Sequence, residues 1–333
     1  MHPALRRPLG KDGPDSSAIG LGTWAIGGDG WGGSDEAKAV AAIQASIDEG
    51  ITLIDTAPIY GFGRSEEIVG RAIRGRRDQV ILATKCGLVW GSDGGDFFFD
   101  SDHGQVRRFL GPASIRLEVE ASLRRLGTNW IDLYQTHWQE STTPIADTMA
   151  TLLELKREGK IRAIGVSNVN PAQLAEYLRC GPLASAQESY SMVDRELAQS
   201  LFPLCAQSGV AVLAYSPLAM GLLTGKFTPG RVFSSGDVRG SNRRFAPGAV
   251  APVNAFLAQI APIARDHGIS LAQLVIAWTL QQPGVTHVLC GARDAGQARE
   301  NAAAGRVALR PEELRTITAR LDAARLALPK MYD

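Results

Sequence analysis

The chain has 333 residues, 45% of them hydrophobic, and a formal net charge of +1. That length and apolar content suffice for one large closed α/β unit or two ordinary domains. The near-neutral balance argues against nucleic acid or an anionic membrane as partner, and no apolar run reaches the roughly 18 residues of a bilayer span.

Apolar β-branched runs alternate with amphipathic stretches along almost the whole chain. Residues 18–24 are the first strand candidate, followed by a glycine-rich stretch and a helix signal at Ser34 ahead of Asp35-Glu36. Strands are then expected at 51–57 and 80–86. Residues 87–111, rich in Gly, Asp and Phe, exceed ordinary loop length. A helix opens at Pro112 and Ser114, a strand follows at 131–138, and Pro144 starts the next helix. Strand 161–168, a helix from Pro171, and strands 185–190 and 210–216 come next. A second long segment, 218–252, carries Arg239, Arg243 and Arg244; a helix signal at Ser270, a strand at 285–291 and a helix-like tail beyond Arg310 complete the pattern. Strands alternating with helices imply a parallel sheet, and near-continuous apolar strands imply that both faces are covered. Eight such units predict a single (β/α)₈ barrel over residues 1–333, with the two long segments overhanging the mouth.

Cys86, Cys180, Cys205 and Cys290 lie far apart with no CxxC pair, and the start of the chain lacks an apolar signal region. Reduced thiols in a cytoplasmic protein are therefore expected. The five histidines show no metal-ligand spacing, so no metal is expected.

Polar residues at the C-terminal ends of barrel strands face the catalytic mouth. Asp55 and Tyr60 close the second apolar run, Lys85 ends the third, and His137 and Trp138 end the fourth. Together these are the parts of a carbonyl-reducing proton donor. Tyr60 is the expected general acid, but a phenol ionises near pH 10 and needs help at neutral pH. Lys85 is expected to lower the phenol pKa, and Asp55 to keep the buried lysine charged. His137 can donate to the same carbonyl oxygen. Taken singly, each has a mundane reading as a cap, a packing ring, a snorkelling cation or a core histidine.

Gly28-Asp29-Gly30-Trp31-Gly32-Gly33 matches GxGxxG between a strand and a helix, with Asp55 on the next strand. An open-sheet dehydrogenase would use Gly28, Gly30 and Gly33 for a dinucleotide. The best helix cap, however, comes after the last glycine, and that reading has no use for Tyr60, Lys85 or His137. A flexible loop near the barrel mouth is the preferred reading.

With those residues in hand, the chain resembles the aldo-keto reductase family over nearly its whole length. The likeness is carried by Ile54-Asp55-Thr56-Ala57 with Tyr60-Gly61 and Ser65-Glu66, by Ala83-Thr84-Lys85, by Asp132 through Trp138, and by Gly159 through Asn168. Tyr215-Ser216-Pro217-Leu218 and Gly221 through Lys226 are most similar to bacterial members. The resemblance implies a barrel that binds NADP(H) extended, with NAD(H) the lesser expectation. It implies that Ser167, Asn168 and Gln187 hold the nicotinamide carboxamide, and that Tyr215 stacks on its ring. Thr23 and Trp24 would border the ribose and substrate. Ser216, Leu218, Gly221 and Leu222 would offer N–H groups to the pyrophosphate, with Pro217 shaping the turn and Lys226 adding charge.

The last unit, Gly291-Ala292-Arg293 with Gln297, Glu300 and Asn301, resembles the adenosine end, where Arg293 suits a 2′-phosphate. Cys290 and Glu188 depart from the familiar pattern, which commonly has a proline and an apolar residue there. Trp24, Trp90 and Trp138, with Trp31 and Phe97 to Phe99, would line the substrate mouth. The resemblance spans aldehydes, aldoses, inositol-type polyols and pyridoxal as substrates, and it also admits a regulatory NADP(H) sensor with little turnover.

Overall fold

A computed structural model describes residues 4–11 and 13–330. All eight expected strands form and close into one parallel barrel. They are β1 (Ile19–Gly22), β2 (Leu53–Asp55), β3 (Ile81–Cys86), β4 (Ile131–Thr136), β5 (Ile161–Ser167), β6 (Ser185–Ser189), β7 (Ala211–Tyr215) and β8 (His287–Gly291). They pair in chain order, and β8 closes onto β1 through Val288↔Ile19 and Leu289↔Gly20. The strands are shorter than the apolar runs at one end or both: β8 starts two residues into its run, and β4 stops two residues before Trp138.

Helices cover the outside. Most start where the chain offers a cap: Asn170 and Ser270 each form a capping box with a glutamine three residues on, and Pro112 and Pro171 occupy first-turn positions that need no N–H donor. The first long helix, Glu36–Asp48, is capped by Asp35, whose carboxylate accepts from Lys38 N, and not by Ser34.

Side-chain alternation along the strands creates two cores. The outer one lies between strands and helices. The inner one fills the barrel with Leu53, Ala83, Leu133, Ala163, Ala184, Ala211, Leu213 and Leu289, plugged by Leu9. Leu9 is carried there by a hairpin (Arg6–Pro8 with Asp15–Ser17) that the apolar pattern does not reveal. Two residues beyond the inner layer on the same faces come Asp55, Lys85, Gln135 and Tyr215, so the mouth chemistry rests directly on packed hydrocarbon.

The first long segment is not a loop. It folds into a three-stranded antiparallel sheet of Leu88–Trp90, Asp96–Ser101 and Gly104–Arg108. The second contains short 3₁₀ turns and then the helix Pro247–Asp266. That helix is long and apolar enough, by length and mean hydropathy, to cross a membrane. Here Val250, Val253, Phe256, Leu257 and Ile260 bury one side of it in the outer core.

Candidate active site

The four residues expected to converge do so, although they come from three successive βα units. Lys85 Nζ stands 2.5 Å from Asp55 Oδ1, 3.0 Å from the Thr56 carbonyl oxygen and 3.3 Å from the Tyr60 hydroxyl. The His137 ring meets Tyr60 edge-on, with centroids 5.7 Å apart. Lys85 is fully buried, and Asp55 and His137 nearly so. Tyr60 keeps partial exposure toward the mouth.

A close backbone approach holds the tyrosine. A Cβ on Gly27 would lie 2.6 Å from the Tyr60 carbonyl carbon, and one on Gly61 would lie 2.4 Å from Gly27 O. Gly61 also has φ of 65°, a region L side chains avoid.

The electrostatics differ from the sequence expectation. Burial and the Asp55 carboxylate hold the Tyr60 phenol well above the ordinary tyrosine range. Lys85, 3.3 Å from the hydroxyl, does not offset that rise; burial lowers the lysine's own pKa, while Asp55 opposes that shift. Burial and the Lys85 charge push His137 well below the usual imidazole range. The arrangement is a protonated phenol beside a neutral imidazole. A protonated phenol is the form a proton donor requires.

Gln135, which sequence reasoning passed over, belongs to this cluster. Its Nε2 donates to Asp55 Oδ2 at 3.1 Å, and Gln187 Nε2 donates to the same oxygen at 2.8 Å and to Gln135 Oε1 at 3.2 Å. The signal was available: Gln135 shares strand parity with His137, two residues on, and pairs with Lys85 across β3 and β4.

Ser167, Asn168 and Gln187 also come together, with their donors already committed. Asn168 Nδ2 donates to His137 O at 2.8 Å and to Ser167 Oγ at 3.1 Å, while its Oδ1 accepts from the Tyr215 hydroxyl at 2.8 Å. Ser167 Oγ donates to Gln187 O at 2.7 Å. A backbone carbonyl and a carboxylate can only accept, so both amide orientations are determined by their partners. These three residues therefore present oxygen lone pairs, and a carbonyl seeking a donor here must displace one of these bonds.

Other expected contacts sort less evenly. Thr23 is completely buried, its hydroxyl donating to Asp55 O at 2.9 Å and accepting from Ser65 at 2.8 Å. It braces the second strand. Trp24 sits 6.4 Å from the Tyr60 ring and 5.2 Å from Trp31. Trp90 packs edge-on against Phe62, and Trp138 lies tilted against Phe98, so the antiparallel sheet brings an aromatic wall to the mouth.

Beyond Tyr215 the chain enters the left-handed region at Ser216, Ala219, Met220 and Gly221, with Pro217 and Leu218 between them. Successive N–H groups in such turns form anion-binding concavities. Gly221 N–H itself donates to Leu218 O at 2.9 Å. Leu222 is buried in the same turn. Lys226 Nζ lies 3.6 Å from Glu300, whose other oxygen accepts from Ser270.

Asn301 Nδ2 donates to Gly291 O at 3.0 Å, joining β8 to the helix Ala295–Ala304. Arg293 precedes that helix, exposed, with its N–H on Gln297 Oε1 and its guanidinium donating to Gly33 O at 2.8 Å. The glycine-rich stretch is thus a mouth loop: Trp31 pairs with Asp237, and Val238 N donates to Gly30 O. It starts no Rossmann helix, and the closed barrel excludes the open-sheet reading.

Of the three arginines in the second long segment, Arg244 is buried against Asp194 and Pro329 O. Arg239 pairs with Asp237 and stacks over Trp31. Among the described residues no cluster of His, Cys, Asp and Glu could hold a metal ion.

A closed α/β barrel whose mouth joins a buried Asp–Lys pair to a tyrosine and a histidine is the architecture of an oxidoreductase. The sequence profile of the Aldo/keto reductase family matches residues 18–322, and the chain belongs to that family. It is 45% identical over 303 residues to the NADH-specific methylglyoxal reductase of Escherichia coli, covering 89% of this chain and 92% of the relative. It is similar to the solved glycerol dehydrogenase AKR11B4 of Gluconobacter oxydans, with 38% identity, a TM-score of 0.87, and coverage of 99% and 98% of the two chains. A Klebsiella pneumoniae aldo/keto reductase solved with NADP and acetate matches at 32% identity and a TM-score of 0.68, covering 91% and 90%. The chain is accordingly an NAD(P)H-dependent oxidoreductase that acts on carbonyl compounds.

Proposed function

We propose that the chain, acting as one unit, reduces small aldehydes and ketones with Tyr60 as general acid, and runs in reverse on the corresponding alcohols. The observation that carries this reading is the Lys85 ammonium held between Asp55 and the Tyr60 hydroxyl, at 2.5 and 3.3 Å. The bound nicotinamide cofactor supplies the hydride. Tyr60 gives its proton to the carbonyl oxygen, and Lys85 stabilises the phenolate left behind until solvent returns the proton. His137, neutral, donates a hydrogen bond to the same oxygen and orients the substrate. Asp55, with Gln135 and Gln187 on its second oxygen, keeps the buried lysine charged.

The residues fit a nicotinamide cofactor. Gln187 and Asn168 offer lone pairs to a carboxamide NH₂, the Tyr215 ring lies beside them for stacking, and the left-handed turn from Ser216 to Leu222 suits a pyrophosphate. We assign NADP(H) as the preferred form because the exposed Arg293 guanidinium stands at a helix start beside Gln297, suited to a 2′-phosphate. The Escherichia coli relative is NADH-specific, so NADH is the competing form. Trp24, Trp90, Trp138 and Phe62 favour a short apolar carbonyl, and the relatives' methylglyoxal and glycerol point to compounds of that size.

The test is oxidation of NADPH and NADH in parallel against methylglyoxal, short aliphatic and aromatic aldehydes and aldoses, with glycerol oxidation run in reverse. Turnover that disappears in Tyr60→Phe supports the reading. Cofactor binding without turnover on any of them would favour a sensor and refute it.

A further inference from the structure

A buried carboxyl lies directly behind the turn that carries Asn168. Gln187 and Glu188 are neighbours on β6, so their side chains leave opposite faces of the strand. Gln187 reaches Asp55 inside the barrel. Glu188 is carried on the other face, and it is only 2% exposed. Burial raises its pKa to about 8, so a carboxyl at this position carries a desolvation cost that an aliphatic side chain would not.

What it meets there is specific. Pairing of β5 with β6 stops at Ser167↔Gln187. Asn168 then turns left-handed, with φ of 55°, and its N–H still finds Gln187 O at 3.2 Å. Val169 has run past the last paired residue, and its N–H donates to Glu188 Oε1 at 3.1 Å. Val169 is itself 3% exposed, so water does not replace this acceptor. A non-glycine residue in the left-handed region persists where its surroundings over-determine it. For Asn168 those restraints are Gln187 O on its own N–H, Glu188 on the next, and His137 O with the Tyr215 hydroxyl on its side chain.

We propose that Glu188 is a positioning residue for the cofactor site: through Val169 N–H it pins the turn that aims the Asn168 amide between His137 and Tyr215. The assignment rests on the reading of Asn168 as a nicotinamide contact. Glu188 touches neither cofactor nor substrate and acts only through Asn168.

The experiment measures NADPH affinity by tryptophan fluorescence, with kcat and carbonyl KM, for the wild type, Glu188→Gln, Glu188→Leu, Asn168→Ala and the Asn168→Ala/Glu188→Leu double variant. Glu188→Gln retains an acceptor oxygen and should bind NADPH within about twofold of wild type, whereas Glu188→Leu should bind about tenfold more weakly. The carbonyl KM should stay unchanged in both. In the Asn168→Ala background the leucine should add nothing further, because its effect travels through that side chain. Should Glu188→Leu not fold, Glu188→Ser, too short to reach Val169, should lose the same affinity. Wild-type affinity in the apolar or serine variant, or an additive loss in the double variant, overturns the proposal. If Asn168→Ala weakens NADPH and the Glu188 variants do not, only the role of Glu188 falls. If Asn168→Ala binds like wild type, the nicotinamide reading of Asn168 falls too.

Discussion

Gln187 donates to Asp55 Oδ2 at 2.8 Å, so the strand expected to hold the nicotinamide amide is bonded directly to the carboxylate that pairs with Lys85. Asp55 receives Lys85 on one oxygen and two glutamine amides on the other. The proposed cofactor and proton-transfer sites thus share one buried network, so a change at either end should be felt at both.

Replacing Tyr60 by Phe removes the proton donor and little volume. We expect kcat to fall about 10²- to 10⁴-fold, with NADPH affinity within about twofold of wild type because Tyr60 is not among the cofactor contacts. Lys85→Met should cost a comparable factor. Stopped-flow hydride transfer beside a binding titration separates the two quantities, and a fully active Tyr60→Phe enzyme would remove Tyr60 from the chemistry.

The acid limb of the pH profile should be flat through the ordinary histidine range. Burial and Lys85 push the His137 pKa well below 6.5, so the imidazole is neutral across physiological pH and stays so on mild acidification. An inflection near pH 6.5 in kcat/KM that vanishes in His137→Asn would contradict a neutral His137.

Glu118 should make stability pH-dependent. It is half-buried on the helix Pro112–Leu126, accepts from Gly87 N at the base of the antiparallel sheet, and has its pKa raised by desolvation from 4.5 to about 7. Between those values the folded protein holds a proton that the unfolded chain has released. Stability therefore falls as pH rises through that window and levels off above about 7. Glu118→Gln cannot ionise, so its stability relative to wild type should grow over this range, by at most about 3 kcal/mol. Paired thermal melts across the range read this directly, and a constant difference would rule it out.

Arg293→Ala should weaken NADPH more than NADH, by about tenfold for a lost charged contact to phosphate. Equal losses for both cofactors would show that Arg293 only anchors the Gly33 loop, to which it donates at 2.8 Å.

Arg244, 2% exposed, forms a two-pronged pair with Asp194 and donates to Pro329 O. Arg244→Met leaves Asp194 without that partner and frees the tail from the mouth loops. A loss of about 3 kcal/mol and faster proteolysis near the C-terminus are expected, with cofactor affinity little changed. A large loss of affinity without destabilisation would instead make Arg244 a phosphate ligand.

The eight strands were legible because a barrel strand is buried on both faces and so reads as a continuous apolar run. The mouth residues were legible because each ends such a run. Gln135 obeyed the same parity and was missed, since an amide inside an apolar strand carries no chemistry of its own until Asp55 is known to face it. Segment 87–111 read as a loop because its strands are short, partly exposed and set among Gly and Asp residues. The Leu9 hairpin was invisible for a related reason: three residues of pairing leave no period to detect.

Local pattern by itself determined the barrel, the order of its strands and which four side chains stand at its mouth, because burial and strand parity are properties of neighbouring residues. Tertiary structure alone decided the protonation states, the commitment of the Asn168 and Gln187 donors, the inward turn of Thr23 and the pairing of Arg244. Each depends on groups far apart in sequence that meet only when the barrel closes. A pKa or a hydrogen bond belongs to the space between residues, and no window of sequence contains that space.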